Sequence, residues 1–351
     1  MAGLCAAARA RELGARPLVV EKGTRAGGSM LLSSCVIWRH RSLDDFRREC
    51  PAGDPDLQST IVDRLDEGLA WLERLGAPVV AAGTGNPLTV GWRFDPRGLT
   101  EALLAVAGDV RLGTPFEAPD TPLILATGGF QGDRELVERH VRPAAPLRLR
   151  ANPWSTGDGL LLGLERGGDL SAGMDEFYGR NMPDCDFREE EFVPLAQLYG
   201  RYARAFNERG EEFFRSKVSW SENDLVQATA RQPGARAWYV LAEGVLDERV
   251  RERTVREIVE AAPTRVDPDE LPFPAPSDAV AAVRVRPGIT HTIGGLRIDA
   301  RARVLRADGE PVDGVFACGA DAGGIAAGGY ASGLAAALVF GRMAAESALA
   351  S

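Results

Sequence analysis

The feature that most restricts the fold is a helix-forming run that passes directly into a strand. Gly3-Leu-Cys-Ala-Ala-Ala-Arg-Ala-Arg-Glu-Leu13 is rich in helix formers and ends at Gly14, the residue type favoured just past a helix C-terminus. Pro17-Leu-Val-Val-Glu-Lys22 follows, an apolar stretch of strand length that closes on a carboxylate. A small-residue helix running into a buried strand is the second half of a βαβ unit, so the spacing predicts an α/β fold. The first half of that unit, a strand and a Gly-x-Gly turn, would precede Gly3, where this sequence reads only Met1-Ala2. The expected sheet is therefore short of its first strand, and that strand's neighbours are left with unpaired N–H and C=O groups.

Further along, Asp54 to Gly76 shows helical periodicity through Leu57, Ile61, Leu65, Leu69 and Leu72. Asp95 stands at a capping position before Pro96 and another helix. Leu123-Ile-Leu-Ala-Thr-Gly-Gly-Phe130 reads as a buried strand breaking on two glycines. From about Asn181 to Val285 the chain carries more charge and several aromatics, as a domain inserted in the first would. From Gly288 the glycine-rich style returns, up to a last helix at about Ser332 to Ala348.

A length of 351 residues suits two domains and a sizeable core. The formal net charge of −9 offers no basic face for a nucleic-acid backbone, so nucleic acid is not an expected partner. Five scattered cysteines form no zinc-ligand spacing and read as reduced thiols. With no leader pattern and no uncharged apolar run of about 18 residues, no membrane partner is expected and the cytoplasm is the expected location.

Gly3 and Glu21 lie eighteen positions apart with a helix and a strand between them. That is close to the ~20-residue spacing from glycine loop to ribose-binding acid in dinucleotide sites. Glu21 then binds an adenosine ribose, while the helix N-terminus presents amides to a pyrophosphate. Glu21 simply ending a strand in solvent explains the same spacing.

The glycine-rich pieces come in one order: Glu21-Lys-Gly, Gly27-Gly-Ser29, Ala126-Thr-Gly-Gly-Phe130, Ser155-Thr-Gly-Asp-Gly159, His291-Thr-Ile-Gly-Gly295, and Ala317-Cys-Gly-Ala-Asp-Ala-Gly-Gly324 before Tyr330-Ala-Ser-Gly333. That order resembles the FAD-dependent fumarate reductase/succinate dehydrogenase flavoprotein family, which also contains 3-ketosteroid dehydrogenases and tricarballylate dehydrogenase. The resemblance covers nearly the whole chain. It implies a glutathione-reductase-like FAD-binding domain at 1–180 and 286–351, with an α+β substrate cap at 181–285. It implies non-covalent FAD, because no histidine sits in the early glycine segment where covalent members attach it.

By the same resemblance Gly3 is the last glycine of the FAD turn, and Glu21 with Lys22 lies at the ribose. Gly27, Gly28 and Ser29 pass the pyrophosphate, and Ala126, Thr127 and Gly128 form a strand-end contact. Asp158, Gly319 and Asp321 follow, with the backbone of Ser332, Gly333 and Leu334 at the flavin pyrimidine. His291 and Thr292 fall at a substrate-binding position. Tyr330 is similar to a tyrosine that polarises a ketone oxygen in ketosteroid dehydrogenases, although simple packing explains Tyr330 equally, and Tyr178, Tyr202 and Tyr239 are other tyrosines in or near the cap.

The family's two substrate arginines have no counterpart in Lys217-Val-Ser-Trp-Ser-Glu-Asn-Asp224 or Gly328-Gly-Tyr-Ala-Ser-Gly333, so bidentate capture of a dicarboxylate loses its usual donors. The links Arg111–Pro122 and Val266–Val283 are also short for the family. The resemblance thus implies an oxidoreductase acting on a C–C bond next to a carbonyl or carboxylate, with a small-molecule substrate and a separate electron donor or acceptor. A truncated or degenerate paralogue without activity stays open beside it. An NAD-dependent dehydrogenase does not account for a cofactor-facing helix at the C-terminal end.

Overall fold

The computed structural model describes residues 1–114, 122–143 and 147–350. Most of the short Arg111–Pro122 link falls outside them. The chain divides into two compact units, one of residues 1–141, 151–177 and 291–351, the other of 142–150 and 178–290. Against the expected 1–180, 181–285 and 286–351, the difference of substance is residues 142–150. Their strand Arg148–Leu149 pairs in parallel with Gly288–Ile289, which draws it into the second unit.

In the first unit the opening helix runs Ala2–Glu12 and the strand after it is Val19–Val20, shorter than the Pro17–Lys22 expected. Val19–Val20 pairs in parallel with Val110–Arg111, and Leu123–Leu125 pairs in parallel with Val315–Ala317. Among the described residues these remain separate sheets of two and three strands. A third, antiparallel sheet joins Val36–His40, Thr89–Phe94 and Val79–Ala82.

The helices sit where periodicity and caps put them. Asp54 accepts from the amides of Asp56 (2.9 Å) and Leu57 (3.1 Å) ahead of Pro55–Arg74, and Asp95 accepts from Gly98 N (2.7 Å) ahead of Pro96–Ala107. Each such cap contributes about 1 kcal/mol. The apolar stripe Ile61, Leu65, Leu69 and Leu72 is buried.

The last helix, Gly333–Ala350, packs on Ala2–Glu12 and Pro55–Arg74, and the Ala6, Ala10 and Ala345 side chains form one buried cluster. By length and composition it is apolar enough to cross a membrane, yet 61% of it is buried inside the unit.

The second unit is built on a seven-stranded sheet whose centre is Ala237–Ala242 against Ala279–Thr292, with Tyr239 opposite Val283 and Trp238 opposite Arg284. Successive side chains on a strand point to opposite faces. Tyr239, Leu241, Val283 and Val285 therefore enter one core, while Trp238, Val240 and Ala282 enter another with Phe206 and Leu271.

Candidate functional site

The sequence-predicted cofactor segments lie far apart in the chain and meet within the first unit. The opening helix has no side-chain N-cap, which leaves first-turn amides for a ligand. Behind it a Cβ on Gly3 would stand 3.4 Å from Ala126 Cβ, so the helix start rests directly on the Ala126–Gly129 strand end.

Glu21 Oε1 accepts from Gly23 N (2.7 Å), and Lys22 Nζ reaches Thr156 Oγ1 (2.5 Å) and Asp158 Oδ2 (2.6 Å). Ser29 Oγ accepts from Asn152 Nδ2 (2.9 Å), and Asn152 Nδ2 also donates to Ser155 Oγ (3.1 Å). That ties the Gly27–Ser29 loop to the Ser155–Gly159 segment. Gly128 takes φ +98°, and a Cβ there would stand 2.7 Å from Ser155 Oγ, so both its conformation and the space around it favour glycine.

Asp321 is the hub. Its carboxylate, 1% exposed, accepts from Thr127 N, from Thr127 Oγ1 (3.0 Å) and from Gly129 N (3.0 Å), and Gly159 N in turn donates to Thr127 Oγ1 (2.9 Å). Burial pushes its pKa up, and the amide hydrogen bonds oppose that shift. These hydrogen bonds make Asp321 the clasp between Thr127–Gly129 and Gly319–Asp321. Nearby, a Cβ on Gly319 would stand 2.9 Å from Ala2 Cβ, which brings the start of the opening helix to the same place.

Two buried polar atoms with no hydrogen-bond partner face this turn, Thr292 Oγ1 and Gln131 Oε1. A Cβ on Gly129 would lie 2.7 and 2.9 Å from them. Buried polar atoms are almost always paired, so two orphans around one glycine turn mark a place for a polar ligand. Uncapped helix amides, close-packed glycines and these orphans together fit an FAD. The amides and Glu21–Lys22 would hold its adenosine diphosphate half, and Ser29, Gly128, Thr292 and the Ser332–Leu334 backbone its flavin half. Ser332 caps the last helix, its Oγ accepting from Ala335 N (3.3 Å).

Three candidate catalytic residues are neighbours. His291 Nδ1 lies 2.9 Å from Thr292 O, and a carbonyl only accepts, so this nitrogen carries the proton. Burial holds the His291 pKa below the usual histidine value, partly offset by that hydrogen bond, so the ring is neutral near pH 7. Its Nε2 faces the start of the last helix, 3.0 Å from where a Gly333 Cβ would stand. The Tyr330 ring centroid is 6.1 Å from that of His291 and 5.8 Å, edge-on, from that of Trp38. Trp38 pairs edge-on with His40 (5.3 Å), whose pKa burial lowers to about 4.

Sequence reading did not single out Trp38, Gln131 or Glu176. None belongs to a local motif of its own, and each matters through contacts made across the chain. Tyr178, Tyr202 and Tyr239 lie in the second unit. There Tyr239 is buried and receives a hydrogen bond from Asn181 Nδ2 (2.6 Å), and Tyr178 lies under the Arg180 guanidinium at 5.2 Å. That unit also holds Glu222, 3% exposed, in left-handed backbone, with Arg201 Nε 3.8 Å from its Oε1 and burial pushing its pKa up to about 7.

The chain matches the protein family described as "FAD binding domain" over residues 1–114 and 101–334. It is 22% identical to the "Probable fumarate reductase Ifc3" of Shewanella frigidimarina, over 99% of this chain and 73% of that protein. It is 25% identical to the "NADH:fumarate oxidoreductase" of Klebsiella pneumoniae, over 99% of this chain but 46% of that one. In fold it is similar to the 3-ketosteroid-Δ4-(5α)-dehydrogenase of Rhodococcus jostii in complex with 4-androstene-3,17-dione. That likeness has a TM-score of 0.72 at 20% identity, over 99% of this chain and 94% of the other.

Proposed function

This chain belongs to the family of FAD binding domains, and on that premise we propose that it is an FAD-dependent oxidoreductase acting on a carbon–carbon bond beside a ketone. When bound, the flavin supplies the hydride acceptor or donor at its N5; everything else falls to side chains of the chain itself. Tyr330 donates a hydrogen bond to the carbonyl oxygen and so stabilises charge that develops there, which makes the α-proton easier to remove. Neutral His291, whose Nδ1 is held by Thr292 O, presents the Nε2 lone pair as the base that takes the α-proton while the hydride goes to the flavin. Thr292 contributes its hydroxyl at the turn it shares with Gly129.

The observation that carries this reading is the Tyr330–His291 pair at 6.1 Å, directly ahead of the last helix. A phenol there, in a segment without arginine between Ala326 and Ser332, suits a neutral carbonyl better than a dicarboxylate. The cofactor is read as non-covalent FAD, the electron partner as a separate donor or acceptor, and the location as the cytoplasm. A second reading, a flavoprotein paralogue without turnover, draws on the two short sheets with parallel pairs that stay separate among the described residues.

The test is a visible spectrum of the purified chain after incubation with FAD and gel filtration, then turnover of 4-androstene-3,17-dione and of fumarate with a redox dye. Retained flavin with ketone turnover supports the first reading. Retained flavin without turnover of either compound supports the second, and fumarate turnover alone overturns the carbonyl assignment.

A further inference from the structure

Tyr330 sits at the end of a stretch gripped from three sides. Ala327 O accepts from Ala52 N (3.1 Å). A Cβ on Gly329 would stand 1.8 Å from Glu49 O and 3.1 Å from Cys50 Sγ, so the backbone lies flat on the Glu49–Cys50 turn where no side chain fits. Between these two contacts, Gly328 N donates to both carboxylate oxygens of Glu176, at 3.0 and 2.9 Å.

Glu176 makes a second connection. Its backbone carbonyl accepts from Ile293 N (3.2 Å), one residue beyond Thr292. One residue therefore holds the Gly328–Tyr330 stretch through its side chain and the His291–Ile293 stretch through its main chain. All of these residues belong to the first unit. A hydrogen bond to an ionised acceptor is about twice as strong as a neutral one, and a carboxylate facing one amide with both oxygens also fixes its direction.

We propose that Glu176 is a positioning residue that sets the distance between Tyr330 and His291, and so controls catalysis by the phenol without touching substrate. This rests on the carbonyl-polarising reading of Tyr330. A group held an ångström out of place loses on the order of a hundredfold in rate. Glu176→Ala is therefore expected to lower kcat on 4-androstene-3,17-dione by about 10- to 100-fold with KM little changed. Glu176→Gln, which keeps one oxygen acceptor for Gly328 N, is expected to return kcat to within about threefold of the parent.

The experiment compares Glu176→Ala, Glu176→Gln, Tyr330→Phe and the Tyr330→Phe/Glu176→Ala double variant, each loaded with FAD. It reads kcat and KM together with amide hydrogen exchange. If Glu176 acts through Tyr330, the double variant loses no more than Tyr330→Phe alone. Exchange at Gly328 to Ala331 rises in Glu176→Ala, while the amides of the buried residues Leu65 and Leu69 inside the helix Pro55–Arg74 stay protected and report an intact fold.

Full additivity of the two losses overturns the inference, as does unchanged exchange at Gly328 in Glu176→Ala. If Tyr330→Phe matches the parent, or the parent turns over no ketone, the functional reading fails instead. The exchange arm then decides alone whether Glu176 holds this stretch.

Discussion

Each unit contains a deeply buried carboxylate, and the two are stabilised in opposite ways. Asp321 in the first is surrounded by donors from the main chain and Thr127, all within a turn of small residues. Glu222 in the second, nearly as buried, has Arg201 at 3.8 Å and an Oε1 without a hydrogen bond. Backbone amides have fixed places and cost little further ordering, whereas a long guanidinium must be held in position to serve a buried charge. The first unit thus serves its carboxylate with three donors from one turn, whereas the second relies on the Arg180 and Arg201 guanidiniums beside a single Arg201 amide, and they should answer differently to mutation and pH.

The sharpest way to break that contrast is Asp321→Ala. It strands several buried donors at roughly 1–3 kcal/mol each, so a loss of about 3 kcal/mol or more is expected in urea unfolding, together with loss of retained FAD. A loss under about 1 kcal/mol would mean that the amide cage is not what fixes the turn.

Next comes Tyr330→Phe, expected to lower kcat by roughly 10²–10³ while leaving the flavin spectrum intact, because one oxyanion donor carries about that much. Steady-state kinetics at saturating FAD decide it.

Glu222→Gln tests the second unit. Its folded pKa of about 7 lies above the usual carboxylate value, so the protonated form is favoured by folding. The stability it contributes is complete below the unfolded pKa and is lost as pH rises through about 7. The glutamine variant should lose that decline and melt higher than the parent at pH 8, by an amount on the order of 1–3 kcal/mol. An unchanged pH dependence of Tm would place the titration elsewhere.

His40 gives the opposite sign. With a folded pKa of about 4, its neutral form supports the first unit above the unfolded value, and that support fades as pH falls from the normal histidine range toward 4. His40→Phe should flatten this part of the acid limb in pH-dependent melts.

The smallest effect belongs to Lys22→Met. Its partner Asp158 is 44% exposed, and such pairs contribute about 0–1 kcal/mol, so the melting point should barely move while FAD affinity reports any direct role.

How much of this was legible in the sequence follows the same division. The Asp54 and Asp95 caps, the Ile61–Leu72 stripe and the glycine turns are local signals, and each element formed within a few residues of its expected limits. That Thr127, Gly129 and Gly159 gather at Asp321 was foreshadowed by the glycine-rich segments that carry them, since a turn built from backbone leaves its mark as glycine. Glu176, Trp38 and Gln131 left no such mark: an acid three positions after Gly173 looks like any surface acid until Gly328 is brought to it. The Glu222 environment also depends on Arg201, twenty-one positions away, and on burial that no short window reports. The strand Arg148–Leu149 joined the second unit for the same reason, its partner being Gly288–Ile289.

The helix Gly333–Ala350 has one further consequence, which concerns synthesis. It is apolar enough to be taken for a membrane segment, and the surfaces that cover it, Ala2–Glu12 and Pro55–Arg74, lie about 260 to 330 residues earlier in the chain. They therefore emerge long before their partner and wait with an open apolar groove, a period in which chaperone holding matters most. When the helix Gly333–Ala350 appears it meets a prepared seat, and docking there competes with mistargeting of the exposed apolar segment.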